Sequence, residues 1–242
     1  VGFSAGTTAM VSRRIGEKNQ EGASRAAAQA ILAGVALSVL LAIPGIFYSY
    51  DLLRLMGASH ELAEANHGYT RIMFAGNMVI MLLFIINAAF RSAGDAALSM
   101  RVLLIANGVN IVLDPLLIFG LGPVPALGIE GAAIATNIGR GLAVLFQFYI
   151  LFKGKMRIQL SISHFLPDLK LITTLTRLSV GGILQNIIAT ASWIVLVRIV
   201  SQFGSSAVAG YTIAIRIVIF ALLPSWGLSN AAATLVGQNL GA

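Results

Sequence analysis

Residues 105–119 read Ile-Ala-Asn-Gly-Val-Asn-Ile-Val-Leu-Asp-Pro-Leu-Leu-Ile-Phe. The run is apolar except for Asn107, Asn110 and Asp114, which recur at i, i+3 and i+7 and so share one face of a helix. A carboxylate at membrane depth is costly and usually marks a functional site. We therefore expect this face to line a protein interior or a watered cavity. Pro115 should kink the helix and free a carbonyl beside the acid, an arrangement that suits a small cation.

The composition of the chain indicates a membrane protein. Of its 242 residues, 57% are hydrophobic and 10% are charged, and the mean hydropathy is +0.88. The stretches that read as membrane spans are longer than the ~10 residues of a barrel strand and near the ~20 residues that a helix needs. They are 27–50, 65–90, 100–119, 131–152, 175–203 and 207–235, after a partial span at 1–11. The predicted fold class is all-α, a polytopic helical membrane protein.

Basic residues predict the orientation of the spans. Arg13, Arg14, Lys18 and Arg25 occupy one connection, and alternate connections after it are also basic, so the positive-inside rule makes this set cytoplasmic. The net charge of +7 is then explained by anchoring at a lipid bilayer, without nucleic acid as a partner. We expect a multi-pass protein of the cell's inner (plasma) membrane. The chain has no cysteine, which excludes thiolate metal sites.

The first and last segments of the chain match each other at a constant offset of 225 residues. The matched pairs are Gly2 with Gly227, Ser4 with Ser229, Val11 with Val236, and Gly16 with Gly241. Both segments close a predicted span, which favours two homologous halves, as in many secondary transporters. Because both ends of the chain lie in or beside predicted spans, we expect it to be a fragment of a longer protein.

Several motifs resemble those of one transporter family. They are Phe90-Arg-Ser-Ala-Gly-Asp95, Asn110-Ile-Val-Leu-Asp-Pro-Leu-Leu-Ile-Phe-Gly120, Leu127-Gly-Ile-Glu-Gly-Ala-Ala-Ile-Ala-Thr136, and the segment 224–242. Together they resemble multidrug and toxic compound extrusion (MATE) transporters, particularly the prokaryotic DinF-like branch. The resemblance implies a twelve-helix fold with two six-helix lobes, of which this chain covers the end of helix two to helix eight. Residues 1–152 would belong to the amino-terminal lobe, 153–172 to a cytoplasmic interlobe linker, and 173–242 to the start of the carboxy-terminal lobe.

The same resemblance implies the residues of the site. The family's cation-coupling residues fall on Asn110, Asp114 and Thr136, and a substrate contact falls on Asn87. Asn107 and Arg140 are further candidates for the substrate cavity. Asp114 lies about five residues before the outer end of its helix and Thr136 several residues into the next, so at ~1.5 Å per residue both sit at similar depth. No resident cofactor is expected, only transported H⁺ or Na⁺.

The predicted function is a secondary antiporter, monomeric and not an enzyme. It would carry out multidrug efflux, exporting organic, cationic or amphipathic small molecules in exchange for H⁺ or Na⁺. Some members of the family that the chain resembles use a carboxylate in helix seven, but residues 178–203 contain none, which favours coupling through Asp114. Protonation or sodium occupancy of this acid would then bias its helix between straight and bent forms at Pro115.

Other interpretations of these residues stay open at this stage. Asp114 could form a static ion pair with Arg140, and the two Asn side chains of its helix could join helices by hydrogen bonds. An alternative function is a flippase for lipid-linked oligosaccharides, with a cationic cavity built from Arg140, Arg198 and Arg216. An ion channel or a structural scaffold would leave Asp114 dispensable for export.

Two further patterns point to chemistry that we do not expect here. Gly2-Phe-Ser-Ala-Gly6 fits the nucleophile pattern G-x-S-x-G, which requires a strand-turn-helix setting and a nearby His. His60, Glu64 and His67 share a helical face in an outer loop and could hold a metal, but a fourth ligand is not evident. Both patterns are also expected of ordinary helix and surface sequence.

Overall fold

The computed structural model describes residues 2–120, 123–153 and 156–242. Within these ranges the helices are joined by turns and short connections and there is no strand, which confirms the predicted all-α class. The helices are α1 (Gly2–Gly16), α2 (Gln20–Phe47), α3 (Ser49–Leu55), α4 (His60–Ala75), α5 (Asn77–Ser92), α6 (Ala96–Phe119), α7 (Gly128–Lys153), α8 (Leu169–Ser201) and α9 (Ser205–Gly241). A short 3₁₀ turn, Ile162–Phe165, lies between α7 and α8.

Five of the described helices are long and apolar enough to cross a membrane: α2, α6, α7, α8 and α9. The α4–α5 pair makes a sixth span if it is counted as one, and it is bent by 44° at a break between the two helices. The six spans of the sequence prediction correspond to these six. The break at Gly76 was not predicted, because residues 65–90 read as one apolar run. The partial span at 1–11 lies in α1, with Val1 outside the described residues.

Three side chains fix where helices begin. Asn19 accepts a hydrogen bond from the Gly22 amide at 2.7 Å, and Ser59 accepts one from the Leu62 amide at 3.2 Å. At the start of α8, Asp168 accepts from the amides of residues 170 and 171. These oxygens satisfy amides that have no partner within their own helix, so they define α2, α4 and α8 at their first turns.

The amino-terminal part of the chain has a core of small and branched apolar residues. On α2, Ala23, Ala27 and Ala30 are fully buried or nearly so, and Ile85 and Ile86 of α5 are completely buried. Small residues allow helix backbones to approach closely, which is how helices associate where lipid removes the hydrophobic contrast. The core therefore joins α1, α2 and α5, with α6 and α7 packed beside them.

Gln29 of α2 attaches the segment before α8 to the amino-terminal helices. Its side chain is fully buried. The side-chain amide nitrogen, Nε2, donates to the carbonyls of His164 and Leu166, each at 2.8 Å. Its Oε1 accepts from the Asp168 amide at 2.9 Å. Arg25 of α2 also pairs with the Asp168 carboxylate at 3.2 Å. One side chain thus satisfies three backbone groups of this segment, which holds it against α2.

The segment predicted as the interlobe linker, 153–172, overlaps the ends of two helices in the structure. Helix α7 extends to Lys153, and α8 begins at Leu169 because Asp168 caps it. The four residues 169–172 therefore belong to a helix. Residues 154 and 155 of the predicted linker lie outside the described residues.

Candidate cation site

Asp114 lies in the second half of α6 and is partly buried. Its Oδ2 accepts a hydrogen bond from Asn110 Nδ2, one turn earlier, at 3.1 Å. The remaining oxygens of this pair, Asp114 Oδ1 and Asn110 Oδ1, are buried and have no hydrogen-bond partner. An unpaired carboxylate oxygen on the same helix face as an unpaired amide oxygen is an arrangement that a proton or a small cation would satisfy.

The register between α6 and α7 sets the level of Thr136. A Cβ atom added to Gly139 would lie 2.8 Å from the Ala106 carbonyl and 3.5 Å from Asn110 Oδ1, and one added to Gly131 would meet the backbone of Leu117. Thr136 lies between these two glycines in α7. It is therefore level with the segment of α6 that holds Asn110 and Asp114, about 60° around the helix from Gly139.

Arg140 does not form the ion pair with Asp114 that the alternative interpretation requires. Both residues are partly buried, and no ion pair joins them among the described residues. Among the described residues, the polar partner of the Asp114 side chain is Asn110. The static-pair interpretation thus has no geometric support in this conformation.

The other two predicted cavity residues have different surroundings. Asn87 is 2% exposed, and its Oδ1 accepts from Ser99 Oγ at 2.8 Å, while Arg91 donates to the same hydroxyl at 3.3 Å. Asn107 is exposed on α6. The roles of both residues in substrate binding stay predictions, and the structure adds that Asn87 is held within the packing of α5 against α6.

Asn137 is a site neighbour that sequence reasoning missed. Its Nδ2 donates to the Ile72 carbonyl at 3.0 Å, in the last turn of α4 before the break at Gly76. Its Oδ1 is buried without a hydrogen-bond partner and lies where a Cβ on Gly76 would be. Asn137 therefore connects the α6–α7 pair to the bent α4–α5 span. Two features of the sequence could have indicated this contact. An amide directly follows Thr136, and a Gly-Asn pair at 76–77 interrupts the apolar run 65–90.

The two remaining patterns have ordinary structural settings. Residues 2–6 form the start of α1, so the nucleophile pattern lacks its strand and turn. His60 Nδ1 lies 3.3 Å from Glu64 Oε2, and His67 bonds to the Glu64 carbonyl instead of sharing a ligand set. The described residues contain no group of three metal-ligating side chains.

Two of the open cavities in the described part of the chain lie between helices. A cavity of about 570 Å³ lies between α1 and α8 and is lined mainly by Ile183, Ile187 and Ile194, with Asn186 and Thr190 as polar groups. A second, of about 510 Å³, lies between α4 and α7 and includes Arg71 and Glu130. Neither is lined by Asn87, Asn107 or Arg140.

The sequence is similar to bacterial multidrug transporters. The family model MatE matches residues 1–116 and 182–242. The probable multidrug resistance protein YoeA of Bacillus subtilis (strain 168) is 29% identical over 245 residues, covering 100% of this chain and 53% of that protein. The multidrug export protein MepA of Staphylococcus aureus (strain MRSA252) is 27% identical over 237 residues, covering 98% of this chain and 52% of that protein. The chain thus spans about half the length of these relatives.

Solved structures show the same fold. A MOP superfamily transporter from Pyrococcus furiosus matches with a TM-score of 0.90 and 29% identity, covering 99% of this chain and 53% of that one. A structure described as the outward-facing conformation of a multidrug resistance MATE family transporter matches with the same score, identity and coverage. The apolar helices and these bacterial relatives identify a multi-pass protein of the plasma membrane. The family model covers most of the chain, which therefore belongs to the MatE family.

Proposed function

We propose that this chain contributes half of the transport pathway of a secondary antiporter that exports organic, cationic or amphipathic compounds in exchange for H⁺ or Na⁺. The observation that carries the proposal is the pair of unpaired buried oxygens, Asp114 Oδ1 and Asn110 Oδ1, on a membrane-spanning helix. The relatives named as multidrug resistance and multidrug export proteins support the substrate class.

The coupling step follows from the chemistry of the Asp114 carboxylate. When this group is ionised, its charge favours a cation at the unpaired oxygens, and when it is protonated that attraction is lost. Asn110 donates to Oδ2 and so orients the carboxylate with Oδ1 free. Thr136, at the same level of α7, is the proposed third ligand.

The ion also bears on the shape of α6 in this proposal. Pro115 follows the acid directly and lies inside α6, which runs continuously through it. Proline cannot donate to the carbonyl four residues earlier, so this part of the helix is its weakest point. Neutralising Asp114 would then shift α6 between a straighter and a more bent form and change the space available to substrate.

The experiment uses the full-length protein in proteoliposomes, with export of a cationic dye driven by an imposed proton or sodium gradient. We expect Asp114→Asn to abolish gradient-driven export, and the gradient that drives the wild type identifies the ion. Asp51→Asn, which changes an exposed carboxylate in α3, is the matched control and should export normally. Full activity of folded Asp114→Asn would contradict coupling through this residue, and a wild type that exports nothing under either gradient would contradict antiport itself.

A further inference from the structure

Two arginines lie against the turn that joins α5 to α6, residues 93–95. Arg91 is in the last turn of α5 and is partly buried, and its Nη1 donates to Ser99 Oγ in the first turn of α6 at 3.3 Å. Arg157 is exposed in the segment after α7, and its Nη1 donates to the Ala93 carbonyl at 3.4 Å. The fold thus brings guanidinium groups from two separate segments of the chain to one short turn.

The positive charge at this turn is not balanced. Neither arginine has an ion pair among the described residues, and Asp95, the one carboxylate of the turn, has none there either. The other carboxylates on the same side of the fold have partners, namely Glu17 with Arg13 and Arg14, Glu21 with His164, and Asp168 with Arg25. The turn therefore keeps an excess of positive charge that no described group neutralises.

Arg91 is held in place by a short chain of hydrogen bonds. The Ser99 hydroxyl that accepts from Arg91 itself donates to Asn87 Oδ1 at 2.8 Å, and both Ser99 and Asn87 are buried. This bond uses one of the several N–H donors of the guanidinium, so the others stay available for a further acceptor. A partly buried cation without a counter-ion is unfavourable, and the planar guanidinium matches the oxygens of a phosphate group in pairs. The chemistry of the turn fits a phosphate anion.

The turn lies at a membrane surface that the sequence predicts to be cytoplasmic. Two spans, α2 and the bent α4–α5 pair, separate it from the basic end of α1, so both lie on the same side of the membrane. The positive-inside rule makes this side cytoplasmic, and the cytoplasmic leaflet carries the anionic phospholipids. Phosphate groups are therefore present at the level of the arginines.

An apolar face of α6 leads from the turn into the membrane. Arg101, Leu104, Gly108 and Ile111 recur at i, i+3, i+7 and i+10 and so share one face of the helix. Leu104 is 61% exposed and Ile111 is 73% exposed, and the space around Gly108 is open. An arginine at the end of such a face covers apolar surface with its stem and extends its charge to the headgroup level. The face can accommodate an acyl chain below a headgroup.

We propose that the α5–α6 turn binds the phosphate headgroup of an anionic phospholipid. Arg91 and Arg157 contact the phosphate, and an acyl chain lies along the Arg101 face of α6. A soluble phosphate would use the arginines and leave the apolar face uncovered, whereas a neutral phospholipid would cover the face and leave the positive charge unbalanced. The bound lipid joins α5, α6 and the segment after α7 at one point. The proposal concerns the bilayer and does not depend on the transport function.

The test measures which phospholipid contacts α6. The full-length protein carries Leu104→Trp as its single tryptophan, with Trp193, Trp226 and any others replaced by phenylalanine. It is reconstituted in phosphatidylcholine vesicles that contain a minor fraction of brominated phosphatidylglycerol or of brominated phosphatidylcholine, whose bromines quench tryptophan on contact. We expect stronger quenching by the phosphatidylglycerol. Arg101→Gln with Arg157→Gln, which changes two exposed residues, should lower the relative association constant for phosphatidylglycerol by about fivefold for each arginine.

A matched double variant removes the same charge elsewhere. Lys170→Gln with Arg177→Gln changes two exposed basic residues of α8 and should keep the wild-type preference. Equal quenching by the two brominated lipids in the protein with all its arginines, or an equal loss of preference in the two double variants, would overturn the site. Quenching that inorganic phosphate relieves at constant ionic strength would assign the arginines to a soluble phosphate and would also overturn the lipid site.

Discussion

Gly139 of α7 packs directly on the carbonyl of Ala106 in α6. A Cβ atom at this position would lie 2.8 Å from that oxygen, closer than van der Waals contact allows. The same glycine lies beside Asn110, so the packing of α7 fixes the position of the amide that orients Asp114. The contact that packs α7 against α6 therefore also shapes the candidate cation site.

Gly139→Ala should destabilise the protein and weaken ion coupling. The added methyl group meets backbone atoms, which cannot rotate away, and overpacking of this kind costs about 1–3 kcal/mol. Gly141→Ala is the matched control, because the space around Gly141 is open and alanine favours a helix by about 1 kcal/mol over glycine. Thermal unfolding in detergent, followed by tryptophan fluorescence, should shift in opposite directions for the two variants. A shift in the same direction would show that the α6–α7 contact is looser than described.

Gln29→Leu should release the segment before α8. The change leaves the carbonyls of His164 and Leu166 and the amide of Asp168 without their side-chain partner, and each buried unsatisfied group costs about 1–3 kcal/mol. Limited proteolysis at Lys170 and the unfolding temperature measure the effect. Gln202→Leu, which changes an exposed residue, should leave both unchanged. Unaltered proteolysis of Gln29→Leu would mean that the Arg25–Asp168 and Glu21–His164 contacts hold the segment without Gln29.

Asn137→Ala should loosen the bend between α4 and α5. The variant removes the bond to the Ile72 carbonyl, which still accepts from the Gly76 amide, so the expected loss of stability is about 1 kcal/mol. Distances between spin labels in α4 and α7 should broaden. Asn239→Ala, which removes an amide bonded only within its own helix, is the comparison. A narrow distance distribution in Asn137→Ala would assign the bend to the break at Gly76 itself.

Glu17→Gln should lower the stability of the folded state at pH values above the ordinary carboxylate range and should leave it unchanged in acid. The hydrogen bond from Arg14 is the main cause that lowers the pKa of Glu17, with Arg13 also contributing. A lowered pKa stabilises the folded state above the ordinary carboxylate range, and this stabilisation is lost as the pH falls through the folded-state pKa. The unfolding temperatures of wild type and Glu17→Gln should therefore converge in acid. Since Glu17 is a surface group, the neutral-pH difference should be small and should shrink in high salt, which screens exposed pairs. A difference that grows in acid would contradict this sign.

Part of the site was predictable because its residues are neighbours on one helix. The spacing of Asn110 and Asp114 predicts that they share a face, and the structure shows the hydrogen bond between them. The contacts of Gln29 and Asn137 were not predictable in the same way. Their partners lie 135 and 65 residues away, and a lone amide in an apolar helix does not indicate which carbonyl it will meet.

The sequence by itself determined the membrane-spanning segments and the family, because hydropathy, charge placement and motifs are local properties of the chain. It also contained the offset of 225 residues between the two ends. Only the tertiary structure decided what that offset does. The folded chain brings Gly16, Gly237 and Gly241 into a symmetric crossing of α1 and α9. It also places the break at Gly76 against Asn137. Such contacts depend on how closely two backbones approach, and that distance is set jointly by all the residues packed around them.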